Sequence, residues 1–466
     1  MGNSNIVRIG DIAEVFDGPH ATPKKIDVGP FFLSISSLEN GQLDLSKSAH
    51  ISDEQFEKWT RRVTPREGDV LFSYETRLGE AALMPGGIKA CLGRRMGLLR
   101  PKRNRVLPEY LLYAYLSPEF QKQIKRRTNH GATVERISLK ELPDFEIRVP
   151  SIEEQQKVVQ VIKAFPRKLE VNQQTNQTLE QMAQALFKSW FVDFDPVVDN
   201  ALAAGNPIPD ELVHRVEVRK KAHALPDFQP LPEHIRNLFP SEFEQTGEPN
   251  VGINGWVPKG WSMARLGGVI SVKRGGSPRP IKDYIVSDGL PWTKISDATG
   301  SHTRFIKKTK EFIKPEGLSK TTLLQKGTLI LSNSATPGLP MFLDLDACVH
   351  DGWLHFPEKK QLSDLFLFQL FQEIRPQLIQ QGNGSVFTNL KTDILKNHKL
   401  PLPTSDVIDA FDKIVGPMHM KLHSLSNSNS SLENLRNYLL AKLISGEIQL
   451  DSSGSSINQE ADVQGV

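Results

Sequence analysis

The chain of 466 residues contains 38% hydrophobic and 24% charged residues, an ordinary balance for folded domains that excludes a wholly disordered or collagen-like protein. At about 150 residues per domain, it is long enough for about three domains. It contains no run of about 18 uncharged apolar residues, and its first residues lack the apolar core of a secretory signal. Only Cys91 and Cys348 occur, which excludes a disulfide framework or a multi-cysteine zinc site. We therefore expect a soluble, cytoplasmic protein.

The net charge of +3 hides an uneven distribution along the chain. Residues 1–150 carry 23 basic and 19 acidic residues, and residues 256–403 carry 20 and 12. In contrast, residues 191–255 carry 5 basic and 11 acidic residues, and residues 404–466 carry 4 and 8. Two basic blocks separated by acidic segments indicate two surfaces for a polyanion. Ordinary solvated surfaces would explain this charge pattern equally well.

The sequence repeats itself at a spacing of about 255 residues. Each copy ends at a proline-marked edge, Arg148-Val149-Pro150 in the first and Pro401-Leu402-Pro403 in the second. The matching segments are Arg8-Ile9-Gly10 with Arg265-Leu266-Gly267, 67–73 with 326–332, Ala90-Cys91 with Ala347-Cys348, and Gly131…Ile137-Ser138-Leu139-Lys140 with Gly384…Thr388-Asn389-Leu390-Lys391. The two cysteines are therefore one position that occurs twice.

Each copy mixes strand and helix signals. The β-rich runs Asp69–Tyr74 and Thr328–Ser332 alternate with Gly and Pro turns and predict strands. Pro108–Lys125 and Ser363–Ile374 place apolar residues at helical spacing and predict amphipathic helices. The fold class expected for each copy is therefore a mixed α/β (α+β) domain of about 150 residues, large enough for its own core.

A helical segment follows each copy. The first, Ser151–Ala164, opens with an N-cap serine, and Pro166 is expected to end it; Thr404–Val415 repeats the pattern before Gly416-Pro417. The second helices, expected at 167–191 and 417–445, are about 38 and 43 Å long at roughly 1.5 Å per residue. They share a seam of 3-4 spacing at Leu169, Asn172, Asn176, Leu179, Ala183, Leu186 and Trp190, and at Leu422, Leu425, Asn429, Leu432, Arg436, Leu439 and Leu443. Matched seams predict a helix pair, although a core-facing helix is the usual alternative.

Asn176 and Asn429 occupy the same seam position near the middle of the two helices. If the helices run antiparallel about a pseudo-twofold axis, their midpoints meet, and these two amides face each other and set the register of the pair. The alternative is that both side chains face solvent.

Residues 193–254 are acidic and Pro-rich, which is typical of a linker, with a local helix expected at Asp210–Ala224. The polar tail after Asp451 is expected to be disordered.

No catalytic motif is recognisable in the sequence. There is no phosphate-binding loop, dinucleotide fingerprint, metalloprotease motif or hydrolase serine elbow, and no Asn/Asp-Pro-Pro-Tyr/Phe signature of an amino-methyltransferase. The histidines at positions 20, 130, 350 and 355 lack the spacing of metal ligands, and Asp193 and Asp195 fit a helix-ending turn better than a catalytic pair. We expect no bound metal, no cofactor and a binding or scaffolding function.

Polar loops at matching places in the two copies are the candidates for DNA contacts. The segment 273–279 combines cations with glycines that let a backbone approach phosphate, and its counterpart, 16–25, is less basic. The loops 73–77 and 332–336 follow a strand and carry side chains suited to reading base edges, where Arg recognises guanine and Asn recognises adenine. The candidates are His20, Thr22, Lys24, Ser73, Tyr74, Thr76, Arg77, Arg94, Arg136, Lys273, Arg274, Ser277, Arg279, Lys294, Asn333, Ser334 and Thr336. Each residue alone could be an ordinary surface group, and their paired placement is the stronger signal.

The architecture, the segment Pro150-Ser151-Ile152-Glu153-Glu154-Gln155-Gln156 and the string 176–196 resemble the specificity subunit of a type I restriction–modification enzyme. Residues 255–261 (GWVPKGW) resemble that family's start of a target-recognition domain. The first domain lacks this Pro-x-Gly-Trp start, and the second proline edge lacks the Glu-Gln that follows the first, so the domain starts depart from the family pattern.

The resemblance implies a division into target-recognition domain 1 (1–150), a first spacer helical region (151–192), a linker (193–254), target-recognition domain 2 (255–403), a second spacer helical region (404–450) and a tail (451–466). It implies that each domain reads half of a split, asymmetric double-stranded DNA target and that the helices set the separation of the halves. It also implies recruitment of two adenine-methyltransferase modification subunits, which bind S-adenosylmethionine, and of restriction motor-nuclease subunits. The chain itself would catalyse nothing.

Two other functions remain open from the residues alone. One is a stand-alone bipartite DNA-binding protein such as a repressor. The other is a coiled-coil adaptor that binds no DNA, and a steep loss of duplex DNA binding with salt would exclude it.

Overall fold

The computed structural model describes residues 6–39, 41–129, 134–301, 303–382, 389–450 and 457–458. The chain forms two compact units, the first from residues 1–171 and 429–466 and the second from residues 172–428. Both units combine helices with strands, so the predicted mixed fold class is confirmed.

The first unit contains mostly short strands and four short helices before a long one. Its strands are β1 (Ile6–Arg8), β2 (Ala13–Asp17), β3 (Ile26–Phe32), β4 (Leu38–Glu39), β5 (Gln42–Leu43), β6 (Ala49–His50), β7 (Val70–Ser73), β8 (Ala81–Leu83), β9 (Ala90–Cys91), β10 (Met96–Pro101), β11 (Thr128–Asn129), β12 (Arg136–Ile137) and β13 (Glu146–Arg148). Its helices are α1 (Ile9–Ile12), α2 (Asp53–Trp59), α3 (Pro108–Leu116), α4 (Pro118–Arg126) and the first half of α5 (Ile152–Phe191).

The second unit repeats much of this order. Its strands are β14 (Phe243–Gln245), β15 (Trp256–Pro258), β16 (Ser262–Arg265), β17 (Lys273–Arg274), β18 (Ile285–Val286), β19 (Leu290–Thr293), β20 (Phe305–Ile306), β21 (Glu311–Ile313), β22 (Thr322–Leu324), β23 (Leu329–Ser332), β24 (Pro340–Leu343), β25 (Ala347–Val349), β26 (Trp353–His355) and β27 (Lys399–Leu402). Its helices are α6 (Asp195–Ala204), α7 (Val213–His223), α8 (Glu233–Arg236), α9 (Leu266–Val269), α10 (Ile295–Thr299), α11 (Asp364–Gly382), α12 (Thr392–Asn397) and the first half of α13 (Ser405–Ser445). Short 3-10 helices lie at Ile35–Ser37, Leu45–Lys47 and Leu142–Asp144 in the first unit, and at Asp210–Leu212, Ile281–Asp283 and Pro315–Lys320 in the second.

Two long helices carry the chain between the units. The helix α5, of 40 residues, begins in the first unit and ends in the second, and α13, of 41 residues, begins in the second and ends in the first. The prediction that Pro166 and Pro417 end their helices was wrong, because both prolines lie inside a continuous helix. Each helix is therefore about 60 Å long at roughly 1.5 Å per residue, longer than the sequence-based lengths.

Burial explains why the prolines are tolerated. A proline in a helix interior removes one backbone hydrogen bond and costs about 3 kcal/mol. Ile162 and Phe165, just before Pro166, are buried in the core of the first unit, and Phe411 and Val415, just before Pro417, are buried in the core of the second. Burying one such side chain contributes about 1.5–3 kcal/mol, so two of them offset the lost hydrogen bond.

The central sheet has the same strand order in both units. It runs β2-β10-β7-β8 in the first unit, and β17-β26-β23-β24 in the second, where β20 extends the edge. A second sheet contains one parallel pair in each unit, β3 with β9 and β19 with β25. Cys91 pairs with Phe32 and Cys348 with Trp292 in these parallel pairs, so the prediction that the two cysteines are equivalent is confirmed.

Near the end of each copy, the structural alignment of the two copies differs from the sequence alignment by two residues. The sequence match places Leu139 opposite Leu390, but the backbone amide of Ile137 donates to Tyr74 in the first unit, and that of Leu390 donates to Asn333 in the second. Ile137 is therefore the equivalent of Leu390. Gly131, Gly384 and Thr388, which belong to the same sequence match, lie outside the described residues.

Residues 193–254, predicted to be a linker, are folded into the second unit. They form α6, α7, α8 and the strand β14, which pairs with β15. Val197, Val198 and Ala201 on α6 are fully buried, which an extended tether would not allow. The local helix expected at Asp210–Ala224 is confirmed by the 3-10 turn and α7.

Asp193 and Asp195 are structural residues at the turn between α5 and α6. Arg215 on α7 lies 3.3 Å from a carboxylate oxygen of Asp193 and 2.6 Å from one of Asp195. The hydroxyl of Ser189 also donates to Asp195, at 2.8 Å. The acidic residues of this segment thus hold α7 on the end of the long helix, in agreement with their predicted structural role.

The aromatic residues at the end of α5 form part of the core of the second unit. Phe187 and Phe191 pack against Phe366 and Phe411, with ring centroids 4.9–6.0 Å apart. Trp190 is 1% exposed and contacts Phe411 as well. The segment 176–196, which contains these three aromatic residues, therefore anchors the end of the first long helix in the second unit.

The seam predicted along the long helices lies on a covered face. None of the seam residues from Leu169 to Trp190 or from Leu422 to Leu443 is exposed, and each is buried or half-buried. Asn176 and Asn429 are both half-buried, so neither side chain projects freely into solvent. Asn176 belongs to the second unit and Asn429 to the first, and their mutual contact stays a prediction.

Three smaller predictions changed in extent. The helix expected at Pro108–Lys125 is two helices, because Ser117 caps α4 and Pro118 occupies its first turn. The helix expected at Ser363–Ile374 continues to Gly382 as α11. The tail after Asp451 lies outside the described residues, except for the strand β29 (Ile457–Asn458), which pairs with β28 (Gln449–Leu450).

A buried ion pair joins the β-rich part of the second unit to α5. The side chain of Arg304, just before β20, is 3% exposed, and its Nε lies 2.6 Å from Glu180 Oε1 on α5. Its guanidinium also stacks over the Phe368 ring at 4.1 Å. Burial lowers the pKa of Arg304 to about 9, so the group keeps its charge at neutral pH and needs Glu180 as its counter-ion.

Replacing Glu180 by glutamine should destabilise the second unit by about 2–3 kcal/mol, because it leaves a buried guanidinium without a counter-charge. The measurement is urea unfolding followed by tryptophan fluorescence. Five of the six tryptophans (Trp190, Trp256, Trp261, Trp292 and Trp353) lie in the second unit, so the signal reports mainly on that unit.

The matched control is Glu433→Gln, at the same repeat position on α13, where the side chain is exposed. Its free energy of unfolding should stay within about 0.5 kcal/mol of the wild-type value. Equal midpoints for the two variants would contradict the stabilising role of the Arg304–Glu180 pair.

Candidate nucleic-acid interface

The loops that follow β7 and β23 share one backbone frame. We name residues 73–80 the first strand-end loop and residues 332–339 the second strand-end loop. The amide of Tyr74 donates to the carbonyl of Arg95 at 3.2 Å, and the amide of Asn333 donates to that of Gly352 at 2.8 Å. Each loop is closed by a bond across its base, Ser73 to Glu80 at 3.1 Å and Ser332 to Leu339 at 3.0 Å. The two loops are therefore equivalent in structure.

A buried serine and a left-handed residue shape both strand-end loops. The hydroxyl of Ser73 donates to the carbonyl of Glu75 at 2.8 Å, and the hydroxyl of Ser332 donates to that of Thr336. Thr76 has φ +72° and Ala335 has φ +58°. A left-handed conformation is uncommon for residues other than glycine and rarest for β-branched residues such as threonine. It persists where surrounding bonds enforce it.

Three of the sequence candidates are buried. Ser73 is 0% exposed, Tyr74 is 6% exposed and Asn333 is 3% exposed. Burial and the negative charge of Asp17 raise the pKa of Tyr74, so its phenol stays neutral. In this conformation these three side chains lie beneath the loop surface, and only the exposed residues around them are accessible to a ligand.

In the first unit, polar groups from different parts of the chain gather around Glu75 and Thr76. Arg95, which the sequence analysis missed, places its Nε 3.2 Å from Glu75 Oε1 and donates from Nη1 to Thr76 Oγ1 at 3.1 Å. Arg136 on β12 is exposed and pairs with Glu75 through an isolated β-bridge. The side chain of Arg77 instead donates to the carbonyl of Ile35 at 3.2 Å.

A second group of candidates in the first unit lies beside Asp17 at the end of β2. His20 Nε2 lies 2.9 Å from Asp17 Oδ2, and Arg62 lies 3.9 Å from the same oxygen. Thr22, Lys24 and Arg94 are exposed. A cleft of about 470 Å³ here is lined by Asp17, Gly18, Pro19, His20, Ala21, Lys58, Trp59, Arg61, Arg62, Val63 and Leu92.

In the second unit, the glycine-flanked basic segment converges on Asp351. Ser277 donates its hydroxyl to Asp351 Oδ1 at 2.6 Å, and Arg279 Nη2 lies 3.5 Å from Oδ2. Arg274 donates from Nη2 to the Asp351 carbonyl at 3.1 Å. The structure thus brings together three of the residues predicted from sequence, around an acidic residue that sequence analysis did not single out.

The remaining candidates of the second unit are partly committed to local contacts. Lys294 pairs with Glu311 at 2.6 Å and lies over the Trp292 ring at 5.7 Å. Lys273 is exposed on β17, and Ser334 and Thr336 are half-buried in the second strand-end loop. Of this group, Lys273 presents the most accessible positive charge.

The residues missed by sequence analysis share one property, which is that folding brings them beside a candidate. Asp17, Arg95 and Asp351 each form an ion pair with a residue from another part of their unit, Arg62, Glu75 and Arg279 respectively. Arg95 directly follows a candidate in the chain, and a denser search around Arg94 would have found it. No local pattern marks Asp351.

Within the described ranges, no group of three or more His, Cys, Asp or Glu side chains is placed to hold a metal ion. Among those same residues, no helix combines the length and apolar character needed to cross a membrane.

Comparison with known proteins gives consistent matches. The family model described as "Type I restriction modification DNA specificity domain" matches residues 1–181 and 258–413. The type I restriction enzyme HindI specificity subunit of Haemophilus influenzae is 28% identical over 405 residues, covering 82% of this chain and 87% of the relative. The MjaIX specificity subunit of Methanocaldococcus jannaschii is 22% identical over 410 residues, covering 86% and 82%.

Solved structures of the same kind also match over most of the chain. The type I restriction–modification S subunit from M. genitalium is 14% identical, with a TM-score of 0.49 and coverage of 94% of this chain and 95% of that one. The HsdS subunit from Thermoanaerobacter tengcongensis is 18% identical, with a TM-score of 0.36 and coverage of 95% and 96%. Because the family model spans both copies of the repeat and well over half of the chain, this protein belongs to the type I restriction–modification DNA specificity subunit family.

Proposed function

We propose that this chain recognises a bipartite, asymmetric double-stranded DNA target, one half through residues 1–150 and the other through residues 255–403. The observation that carries the proposal is the pair of strand-end loops, which share the main-chain hydrogen bonds at their bases but differ in their side chains. Thr76 and Arg77 in the first loop correspond to Ala335 and Thr336 in the second. A constant frame with variable side chains is what two readers of different sequences require.

Charge supports the same assignment. The segments 1–150 and 256–403 hold the surplus of basic residues, whereas the segments between and after them are acidic. A basic surplus attracts the phosphate backbone without sequence preference and brings the loops to the groove. Exposed candidates such as Lys24, Arg94, Arg136 and Lys273 are the groups we assign to this attraction.

The chain then acts as the recognition subunit of a larger assembly in the cytoplasm. We assign methyl transfer to two modification subunits that bind S-adenosylmethionine, and cleavage to restriction motor-nuclease subunits. The chain itself supplies no catalytic residue and binds no cofactor. Membership of the specificity-subunit family favours this assignment over a stand-alone repressor or an adaptor that binds no DNA.

The proposed recognition segments are smaller than the compact units. The first unit adds the ends of the two long helices to residues 1–150, and the second adds the folded segment 193–254. We therefore assign DNA reading to the β-rich segments, and the two long helices to spacing the half-sites. Successive major-groove faces on one side of DNA lie roughly 34 Å apart, a distance that helices of this length can span.

Exchange of one recognition segment tests the proposal. Replacing residues 256–403 with the matching segment of a relative should change one half of the methylated sequence and leave the other half as it was. The measurement is methylome sequencing of a host that expresses the complete system. The reciprocal exchange of residues 1–150 is the control and should change only the other half. Changes in both halves after a single exchange would contradict independent reading.

Loss of the basic pair in the second unit should weaken DNA binding. In the double variant Arg274→Ala/Arg279→Ala, affinity for a target duplex should fall at least about tenfold, because a lost arginine–base or arginine–phosphate contact costs about 1–3 kcal/mol. The measurement is fluorescence anisotropy at several salt concentrations. Modification subunits should still copurify with the variant.

The control is the double variant Lys220→Ala/Lys221→Ala on α7, which removes two charges outside both recognition segments. It should bind the duplex as the wild type does. Wild-type affinity for both double variants would remove Arg274 and Arg279 from the interface.

The spacing role of the helices is tested by insertion. Four residues inserted within α5 should lengthen the unspecified gap of the methylated site and leave both half-sites unchanged, because they add about 6 Å of helix. The same four residues inserted in the exposed segment 225–230, between α7 and α8, should leave the gap unchanged. An active α5 variant with the original gap would refute the spacing role.

A further inference from the structure

Two equivalent positions carry opposite charges in the two units. The amide of Gly18 donates to the Met96 carbonyl at 3.0 Å, and the amide of Gly275 donates to that of Trp353 at 2.9 Å. Counting from these bonds, Asp17 corresponds to Arg274 and Arg94 corresponds to Asp351. The acid lies on the first strand in one unit and on the opposite turn in the other.

The acid of the second unit is the more firmly bound. Asp351 accepts from the Ser277 hydroxyl at 2.6 Å, and its own amide donates back to that hydroxyl at 3.4 Å. Arg279 approaches the second carboxylate oxygen at 3.5 Å, and Arg274 holds the backbone carbonyl at 3.1 Å. Partial burial opposes ionisation, but the Ser277 hydrogen bond and the nearby positive groups hold the pKa of Asp351 below its usual value, so the carboxylate is charged at neutral pH.

The arginines are nevertheless accessible. The Arg279 side chain is 75% exposed and that of Asp351 is 50% exposed. An exposed ion pair of this kind is weak enough to be exchanged for another anion. In the first unit Arg94 is exposed and Asp17 contacts His20 and Arg62 instead, so the two units hold their cations differently.

We propose that Asp351 is a specificity-determining residue: its main-chain carbonyl holds Arg274, its carboxylate holds Arg279, and the negative charge of that carboxylate opposes binding of both arginines to phosphates of unrelated DNA. On nonspecific DNA, the two guanidinium groups must leave Asp351 for a phosphate of equal charge, and the carboxylate repels that phosphate. On the target, a base edge that accepts hydrogen bonds replaces the Asp351 contacts without adding a negative charge. This inference rests on the proposed DNA-reading function and concerns discrimination rather than affinity.

The test compares two duplexes of equal length and composition, one carrying the methylated sequence identified in the host and one scrambled. Full-length wild type and Asp351→Asn are titrated with each duplex across a salt series. The variant should bind the scrambled duplex about five- to tenfold more tightly, and its salt slope on that duplex should steepen by about 0.9, the value for one added phosphate contact. Affinity for the target should change less, so the ratio of target to scrambled binding falls.

The matched control is Asp288→Asn, which removes the same charge from an exposed turn of the second unit. It should keep the wild-type ratio and salt slope. Adding Arg274→Ala and Arg279→Ala to Asp351→Asn should abolish the gain on the scrambled duplex, because the gain arises from those two side chains. A purely structural role of Asp351 would not produce this dependence.

Ser277→Ala provides a second route if Asp351→Asn folds poorly. It removes the hydroxyl that fixes the carboxylate and should lower the ratio in the same direction by a smaller factor. An unchanged ratio and slope in these variants, with a wild type that discriminates, would overturn the role of Asp351 and leave the proposed function intact. A wild type that binds neither duplex would overturn both.

Discussion

The structure depends on two helices that each belong to two hydrophobic cores. Val158, Ile162 and Phe165 on α5 are buried in the first unit, whereas Phe187 and Trp190 of the same helix are buried in the second. On α13, Phe411 is buried in the second unit and Leu443 in the first. Neither helix can end in the middle without losing one of its anchors. This shared burial explains why a proline persists inside each helix, and why the chain must complete both units before either long helix has its full set of contacts.

The strand-end loops show how a fold can keep its backbone hydrogen bonds and change its side-chain chemistry. Main-chain bonds hold Tyr74 and Asn333 at the same place although their side chains differ in size and polarity. Because backbone amides and carbonyls are present whatever the side chain, the frame survives substitution at the exposed positions beside it. The buried serine in each loop adds a side-chain bond of the same kind. The exposed residues can therefore vary without affecting the fold of the loop.

Sequence reasoning succeeded where a signal is local or repeated. The β-rich runs located β7 and β23 to within a residue, and the duplication identified Cys91 and Cys348 as one position. It failed where tertiary packing overrides a local rule. Proline predicts a helix end, yet the neighbours of Pro166 are buried strongly enough to keep the helix whole. The acidic segment 193–254 has the composition of a linker, but Arg215 and Arg219 neutralise its aspartates and let it fold.

For the candidate interface, residue type was the wrong guide to accessibility. Asn333 has the chemistry to read adenine, but it is buried, whereas Arg95 was overlooked although it contacts both Glu75 and Thr76. The ion pairs at the interface join residues distant in the chain, such as Arg279 and Asp351, and no local pattern encodes them.

Under the proposed function, these pairs give a surface with an excess of positive charge a means to be selective. The surplus in segments 1–150 and 256–403 acts over about a Debye length, roughly 8–10 Å, and attracts any polyanion. At closer range, Glu75, Asp17 and Asp351 each form an ion pair with an arginine. In the proposed function, attraction and discrimination come from different charges: the basic surplus sets the encounter with DNA, and the paired groups set the energy required to leave one partner for another. A surface with the surplus alone would bind all DNA nearly equally, and one with only paired charges would seldom reach it.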